Sequence, residues 1–259
     1  MPQDRTSHPN VRIGCSGWVY RHWKHDFYAG IPQRLWFDHY AATFDTVEIN
    51  ASFYRAPTPA MWDAWAAKAP PGFRYAIKAN RFITHLKKLI DVAEATARFL
   101  GHARTLGEHL GPILYQLPPN LKRNPDRLAA FLALLPRDLE HVFEFRSADW
   151  YDAEILGLLD AHDAGFVAHD LVGLATPRWA SGRTAYVRFH GTGGKYVGRY
   201  NEEQLADWAR WLDEQRAVGR SAWAFFNNDI HGHAIHDAVA LRLALEQIDE
   251  ARDRGAGVG

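Results

Sequence analysis

Cysteine is almost absent from this chain: Cys15 is the only one in 259 residues, beside just two methionines. A lone cysteine cannot close an internal disulfide, and it excludes a cysteine-cluster metal site. That sparing use fits a reducing cytoplasm. Net charge is absent too, with 30 basic residues balanced by 30 acidic ones. Such a balance argues against a protein that holds nucleic acid chiefly through bulk electrostatics. No apolar run reaches the roughly 20 residues that span a bilayer, so no membrane partner is expected. The first ten residues, MPQDRTSHPN, lack the basic start and apolar stretch of a secretory signal. No organic-cofactor motif is found, and no low-complexity linker divides the chain. The expectation is one cytoplasmic domain over residues 11–249, between a flexible N-terminus (1–10) and a flexible tail (250–259).

What the chain does have is rhythm. Eight short apolar runs end in polar residues, at intervals that a helix can fill: CSGW, VEIN, AIK, LYQL, FEFR, VAHD, VRFH and FFNND. The strands are placed at 11–15, 46–50, 73–78, 112–117, 141–146, 166–170, 185–190 and 222–227. Thr58-Pro59 supplies a helix N-cap followed by proline at the first helical position. Asn201 caps EEQLADWARWLDEQRA, which has acids in its first turn. A helix EILGLLDAHDAG is expected to end at its glycine. The stretch LVGLATPRWASGRT is too short and too rich in Gly and Pro for a full helix. The pattern predicts a TIM-like (β/α)8 barrel whose sixth outer helix is missing or replaced by a loop.

Within VEIN, FEFR and VRFH, apolar and polar residues alternate with period two. An exposed antiparallel face would explain that alternation, but helix-connected parallel strands are covered on both sides. The apolar set must then meet the outer helices. The polar set (Glu48, Asn50, Glu144, Arg146, Arg188, His190) must point into the barrel at its C-terminal mouth. Extending this phase adds Ser16, Lys78, Gln116, Asp170 and Asn228. The result is a cup of acids and fixed cations with one histidine. A purely structural ion-pair network is the competing explanation, because buried charge must be paired.

As chemistry, the cup suggests an anionic substrate carrying phosphate or carboxylate, which arginine forks match. Gly191, Gly193 and Gly194 offer amides for an anion nest, although a tight turn accounts for them equally well. Glu48 and Glu144 are candidate acid and base if their environments split their pKa values, and Asp170 is a further catalytic candidate. His190 is a candidate proton shuttle. Lys78 can polarise a carbonyl, or form a Schiff base if its pKa is depressed. The fixed cations oppose a divalent metal, so none is assigned; Asp229, His231, His233 and His236 read as solvated loop residues. Trp18, Tyr20, Trp23, Tyr28, Phe53, Tyr54, Tyr196 and Tyr200 fall in mouth loops and are candidates to stack on a sugar or base. Trp62, Trp65, Trp208 and Trp211 sit at helical spacing and read as packing residues. Cys15 lies in the outward phase, as a buried inert thiol does.

The succession IGCSGWVYRHW, FYAG, TVEINASFYRAP, KANRFITH, LGPILYQLPP, EFRSADW, YVRFHG and FFNND resembles the domain of unknown function 72 family, the YecE-like proteins, over about residues 11–245. The resemblance implies a TIM-barrel-like fold and brings no activity with it. It adds Ser52, Tyr54, Thr84 and His85 as neighbours of the site. Cys15 stands where the family pattern more often has threonine. The functional expectation is acid–base chemistry on a small anionic or polyhydroxylated substrate such as a sugar phosphate. The alternatives are a metal-dependent phosphodiesterase acting on nucleic acid and a non-catalytic ligand-binding module. Nothing in the pattern specifies an oligomeric state.

Overall fold

The computed structural model describes residues 10–194 and 196–256. Eight strands form the inner wall: β1 (Val11–Cys15), β2 (Thr46–Ile49), β3 (Arg74–Lys78), β4 (Leu110–Gln116), β5 (His141–Glu144), β6 (Gly165–His169), β7 (Thr184–Phe189) and β8 (Ser221–Phe226). They pair in parallel in the order β1-β8-β7-β6-β5-β4-β3-β2. The helices are α1 (Trp36–Thr43), α2 (Ala51–Tyr54), α3 (Pro59–Lys68), α4 (Ala93–Ala103), α5 (Pro125–Leu132), α6 (Ala153–Ala161), α7 (Glu202–Ala217) and α8 (His233–Ala256). This is a TIM-like (β/α)8 barrel. Residues 170–183 between β6 and β7 contain no helix, as their Gly and Pro content predicts. No described helix is long and apolar enough to cross a membrane.

The ring is nearly closed. At the seam between β1 and β2 the Tyr40 hydroxyl takes the place of a ladder, accepting from the Cys15 amide (2.8 Å) and donating to the Thr46 carbonyl (3.0 Å). Gly14 permits that approach, because a Cβ there would lie 2.3 Å from the Thr46 oxygen. Two apolar bodies hold the wall. A large one fills the space between strands and helices. A small one, made of Ala76, Leu114, Val142, Val167, Tyr186, Trp223 and Phe225, plugs the barrel interior beneath the mouth.

Local signals account for most element ends. The Thr58 hydroxyl accepts from Met61 at the start of α3, and Asn201 forms a reciprocal capping box with Gln204 at α7. Three expectations change. The turn after α6 is made by Asp163 in the left-handed region (φ 55°), not by a glycine. Gly165 instead opens β6, where a Cβ would meet the Thr184 carbonyl at 2.5 Å. Apolar residues recur at helical spacing over residues 86–111, which predicts a helix from Leu86, yet a π-helical turn occupies Phe82–Leu86 and α4 starts only at Ala93. At the C-terminus, residues 250–256 continue α8 where a loose tail was expected, and Arg252 ties that end to Asp213 (2.7 Å). Residues 1–9 and 257–259 of the two expected flexible ends lie outside the described residues.

Candidate active site at the barrel mouth

The inward row of each strand continues above the apolar plug as a charged layer. Glu48 ends on β2, Lys78 closes β3, Gln116 closes β4, Glu144 closes β5 with Arg146 two residues beyond, and Arg188 lies on β7 with His190 just after it. Arg188, only 1% exposed, is the keystone: Nη2 donates to Glu48 (2.7 Å) and Nη1 to Glu144 (2.5 Å). Glu48 also accepts from Ser16 (2.8 Å), Asn50 (3.1 Å) and the hydroxyl of Tyr186 (2.7 Å). Arg146 pairs with the other oxygen of Glu144. Both carboxylates are thereby committed to guanidinium groups.

Lys78 is left with a neutral partner. Its Nζ donates to Gln116 Oε1 at 2.5 Å and stands 4.4 Å over the Phe53 ring. Ser52, on α2, donates its hydroxyl to the Lys78 carbonyl (2.7 Å) and fixes that strand end. Among the described residues no carboxylate forms an ion pair with Lys78.

Titration follows from this pairing. Burial alone would push the Glu48 and Glu144 carboxyls up. For Glu48 the Arg188 guanidinium, the Tyr186 hydroxyl and Lys78 together outweigh burial; for Glu144 Arg146 and Arg188, with His169 and His190, do so, and both end below the usual carboxylate range. The expected split into an acid and a base is therefore not found: both stay ionised. Lys78 moves the other way. Burial first, then repulsion by Arg188, draws its amine down to about 7, against the pull of Glu144 and Glu48.

His190 is held neutral. Arg146 donates to its Nε2 (2.9 Å), so Nδ1 carries the hydrogen and faces the Arg188 carbonyl (3.2 Å). Burial and the two arginines push its pKa well below the ordinary value, which removes it as a shuttle near neutrality. It serves to orient Arg146. Four buried atoms of the charged layer, Asn50 Oδ1, Glu144 Oε1, Arg146 Nε and Arg188 Nε, make no hydrogen bond within the protein, although Glu144 Oε1 is ion-paired with Arg146.

Other expected residues are placed differently. In β6 the inward position belongs to His169, which the sequence reading missed; Val167 in the plug fixes that phase. His169 staples β6 to β5 through the Phe145 carbonyl (3.1 Å). Asp170 stands one step off the row, where it accepts from the His190 amide (2.8 Å) and the Tyr200 hydroxyl. Asn228 also leaves the row: it donates to Asp237 (2.7 Å) and the Gly198 carbonyl (2.9 Å) behind the mouth. The Gly191 amide donates to Tyr200 (2.8 Å) and the Gly193 amide to Val197 (2.9 Å), so neither is free for an anion nest. Gly191 is required for close approach, since a Cβ there would sit 2.3 Å from the Val197 carbonyl oxygen. Gly194 lies in the same turn, bridged to Val197.

The aromatics mostly pack. All ten tryptophans lie in the apolar bodies or against them; Trp18 rests edge-on against Phe37, and Trp23 and Tyr28 are fully buried. Tyr54 is exposed on the rim. His85 is half-buried against Phe53, its pKa lowered to about 4 by burial and then by Lys78 and Arg81. Thr84 is buried and hydrogen-bonds His85 (2.9 Å). Burial pushes the Cys15 thiol far up, as expected of an inert one.

With this geometry in place, comparison with known proteins settles the lineage. The family described as "Protein of unknown function DUF72" matches residues 12–256. The chain belongs to this family. The UPF0759 protein YunF of Bacillus subtilis is 24% identical over 244 residues, covering 81% of this chain and 85% of that protein. A DUF72 family protein of Thermotoga maritima superposes with a TM-score of 0.81 at 27% identity, covering 91% of this chain and 99% of the other. One from Enterococcus faecalis gives 0.79 at 18% identity, over 91% and 95%; that likeness shows the fold alone. The DUF72 assignment brings no activity, so chemistry has to be argued from the mouth itself.

Proposed function

We propose that the barrel mouth is the active site of an enzyme that performs acid–base chemistry on a small anionic or polyhydroxylated substrate, such as a sugar phosphate, in the cytoplasm. One observation carries the reading: Lys78 is buried among charged groups yet paired only with the Gln116 amide, and burial draws its amine down to about 7. A general acid or base works best when its pKa lies near the working pH. Glu48 and Glu144 stay ionised and supply a fixed field. Arg146, with its Nε unspent, and the protonated form of Lys78 supply the positive charge that draws an anion. The layer carries two arginines and a lysine against two glutamates, a surplus of one cation whenever Lys78 is charged.

The test is a thermal-shift screen of phosphate- and carboxylate-bearing metabolites at pH 7, on the wild type and on Arg146→Gln. A ligand that binds the native state raises the melting temperature by mass action. Stabilisation by anions that disappears in Arg146→Gln supports the reading; equal shifts in both proteins, or none, overturn it. Turnover of the hits by the wild type, followed by NMR, separates an enzyme from a binding module.

A further inference from the structure

We propose that Lys78 is a covalent catalyst: its ε-amine adds to the carbonyl carbon of a small anion that bears an aldehyde or ketone beside a carboxylate or phosphate, and forms an imine. This rests on the reading of the mouth as an active site for anions, and it narrows the substrate class.

The argument begins with who pairs with whom. The mouth holds two buried carboxylates close enough to Lys78 to affect its charge, and a lysine kept for structure would take one of them. Here Arg188 takes both, Glu48 at 2.7 Å and Glu144 at 2.5 Å, and Arg146 takes the remaining face of Glu144. The lysine is left to an amide oxygen and the face of Phe53. An amine held by an amide can give up its proton and keep its hydrogen bond, because a neutral amine still has N–H groups to donate to Gln116 Oε1. Its electron pair is then open to an electrophile. The groups that set its charge surround it from several elements: Arg188 on β7, Glu144 on β5, Arg146 beyond β5 and Glu48 on β2, with His85 close by on the π-helical turn. Burial first, and then the cations, draw the amine down to about 7, so a share of it is neutral at that pH, as a nucleophilic lysine requires.

The second observation is that the unspent buried atoms of the layer include Arg146 Nε and Asn50 Oδ1, beside Arg188 Nε. The first is a donor suited to a carboxylate or phosphate oxygen, and the second an acceptor suited to a hydroxyl. Asn50 follows β2, the strand beside the β3 of Lys78, and Arg146 follows β5, two strands away on the other side; in this proposal an anion held by Arg146 lies across the mouth with its carbonyl toward the amine.

The step balances without a further reagent. The amine's electron pair forms the C–N bond while the carbonyl π pair moves to oxygen. The C–O bond then breaks, and the oxygen leaves as water with both amine protons. The imine nitrogen takes one proton from solvent, and the resulting iminium sits in the field of Glu48 and Glu144.

The experiment incubates the full chain with pyruvate or with dihydroxyacetone phosphate in the presence of sodium cyanoborohydride, then maps adducts by peptide mass spectrometry. The surface lysine Lys68 serves as an internal control. Labelling of Lys78 at least tenfold faster than Lys68 at pH 7, with a half-maximal rate near that pH, is expected. Gln116→Glu gives the amine a carboxylate partner; it should move the rate profile up by more than one pH unit and slow labelling at pH 7 at least tenfold. Labelling at Lys78 no faster than at Lys68, or a profile unmoved by Gln116→Glu, overturns the proposal. Inorganic phosphate and malonate, which carry no reactive carbonyl, separate the two readings. If they stabilise the wild type but not Arg146→Gln while Lys78 stays unlabelled, the anion site stands and the covalent step falls; if Lys78 is labelled without such stabilisation, the covalent step stands alone.

Discussion

The two ends of the barrel interior use the same residue types to opposite effect. At the strand starts, Arg12 reaches Asp45 (2.7 Å) and the Gly72 carbonyl (2.9 Å). Arg183 meets Asp163 (2.8 Å) and the carbonyls of Arg137 and Leu139. Glu140 accepts from Thr184 and Ser221, each at 2.7 Å. These groups are partly open to water, and each is met by backbone or hydroxyl. At the strand ends, beyond the apolar plug, Glu48, Glu144 and Arg188 are sealed from water, and Lys78 is left without an ion pair among the described residues. Solvent and pairing, rather than residue type, separate the two. Exposed pairs are screened and worth little, whereas sealed charges depend wholly on their partners. A barrel can therefore carry charge at its base for cohesion and reserve strained titration for its mouth.

The widest gap between the ends should appear on removing one arginine from each. Arg188→Ala leaves Glu48 and Glu144 buried without their cation and should cost about 3–5 kcal/mol. Arg12→Ala should cost about 1 kcal/mol. Denaturant midpoints measure both, and equal losses would erase the contrast.

A smaller effect comes from pH. The folded pKa of Lys78 lies near 7, below the 10.5 of the free side chain. Between those values the unfolded chain binds more protons, so the Lys78 contribution to stability rises with pH across that window; below about 7 the full cost of burying the charge is present. Relative to Lys78→Met, the wild type should gain about 2–3 kcal/mol between pH 6 and pH 9. Unfolding curves at the two pH values decide it, and parallel behaviour of wild type and variant would place Lys78 with the ordinary surface lysines.

The smallest difference is expected between two glutamate-to-glutamine changes. Glu140→Gln keeps an oxygen for Thr184 and Ser221 and should cost less than about 1 kcal/mol. Glu144→Gln weakens two charge-assisted bonds inside a sealed layer and should cost about 2 kcal/mol. A reversed order in their melting temperatures would mean that the base, not the mouth, is the tightly coupled end.

The barrel was legible because period-two alternation in β2, β5 and β7 ends in charge, and because the intervening spans suit helices. The same alternation brought Glu48, Lys78, Gln116, Glu144, Arg146 and Arg188 to one place. It failed in β6 and β8 for a definable reason. In Ala168-His169-Asp170 two polar residues stand side by side after apolar ones, so polarity alone does not choose the inward one. In Phe225-Phe226-Asn227-Asn228 the same doubling occurs. The better guide was bulk: Phe166 packs outward against Phe145 and Trp179, which puts Val167 and His169 inside. The protonation states were not legible at all. They depend on which carboxylate each arginine reaches, and spacing along a chain does not encode that. The loop glycines misled in another way, since the Gly191 and Gly193 amides are already engaged by Tyr200 and Val197.

The helix missing between β6 and β7 turns the outer ring into an arc with two free ends, α6 and α7. The connecting chain is pinned at a few points: Thr176 to the His169 carbonyl, Ser181 to the Ala164 carbonyl, and Arg178 over the Trp208 ring. Between them lies a pocket of about 390 Å³ that reaches from Trp208 to His169 and Asp170. A barrel ringed by helices on every side is approached only along its axis; this one also has a flank.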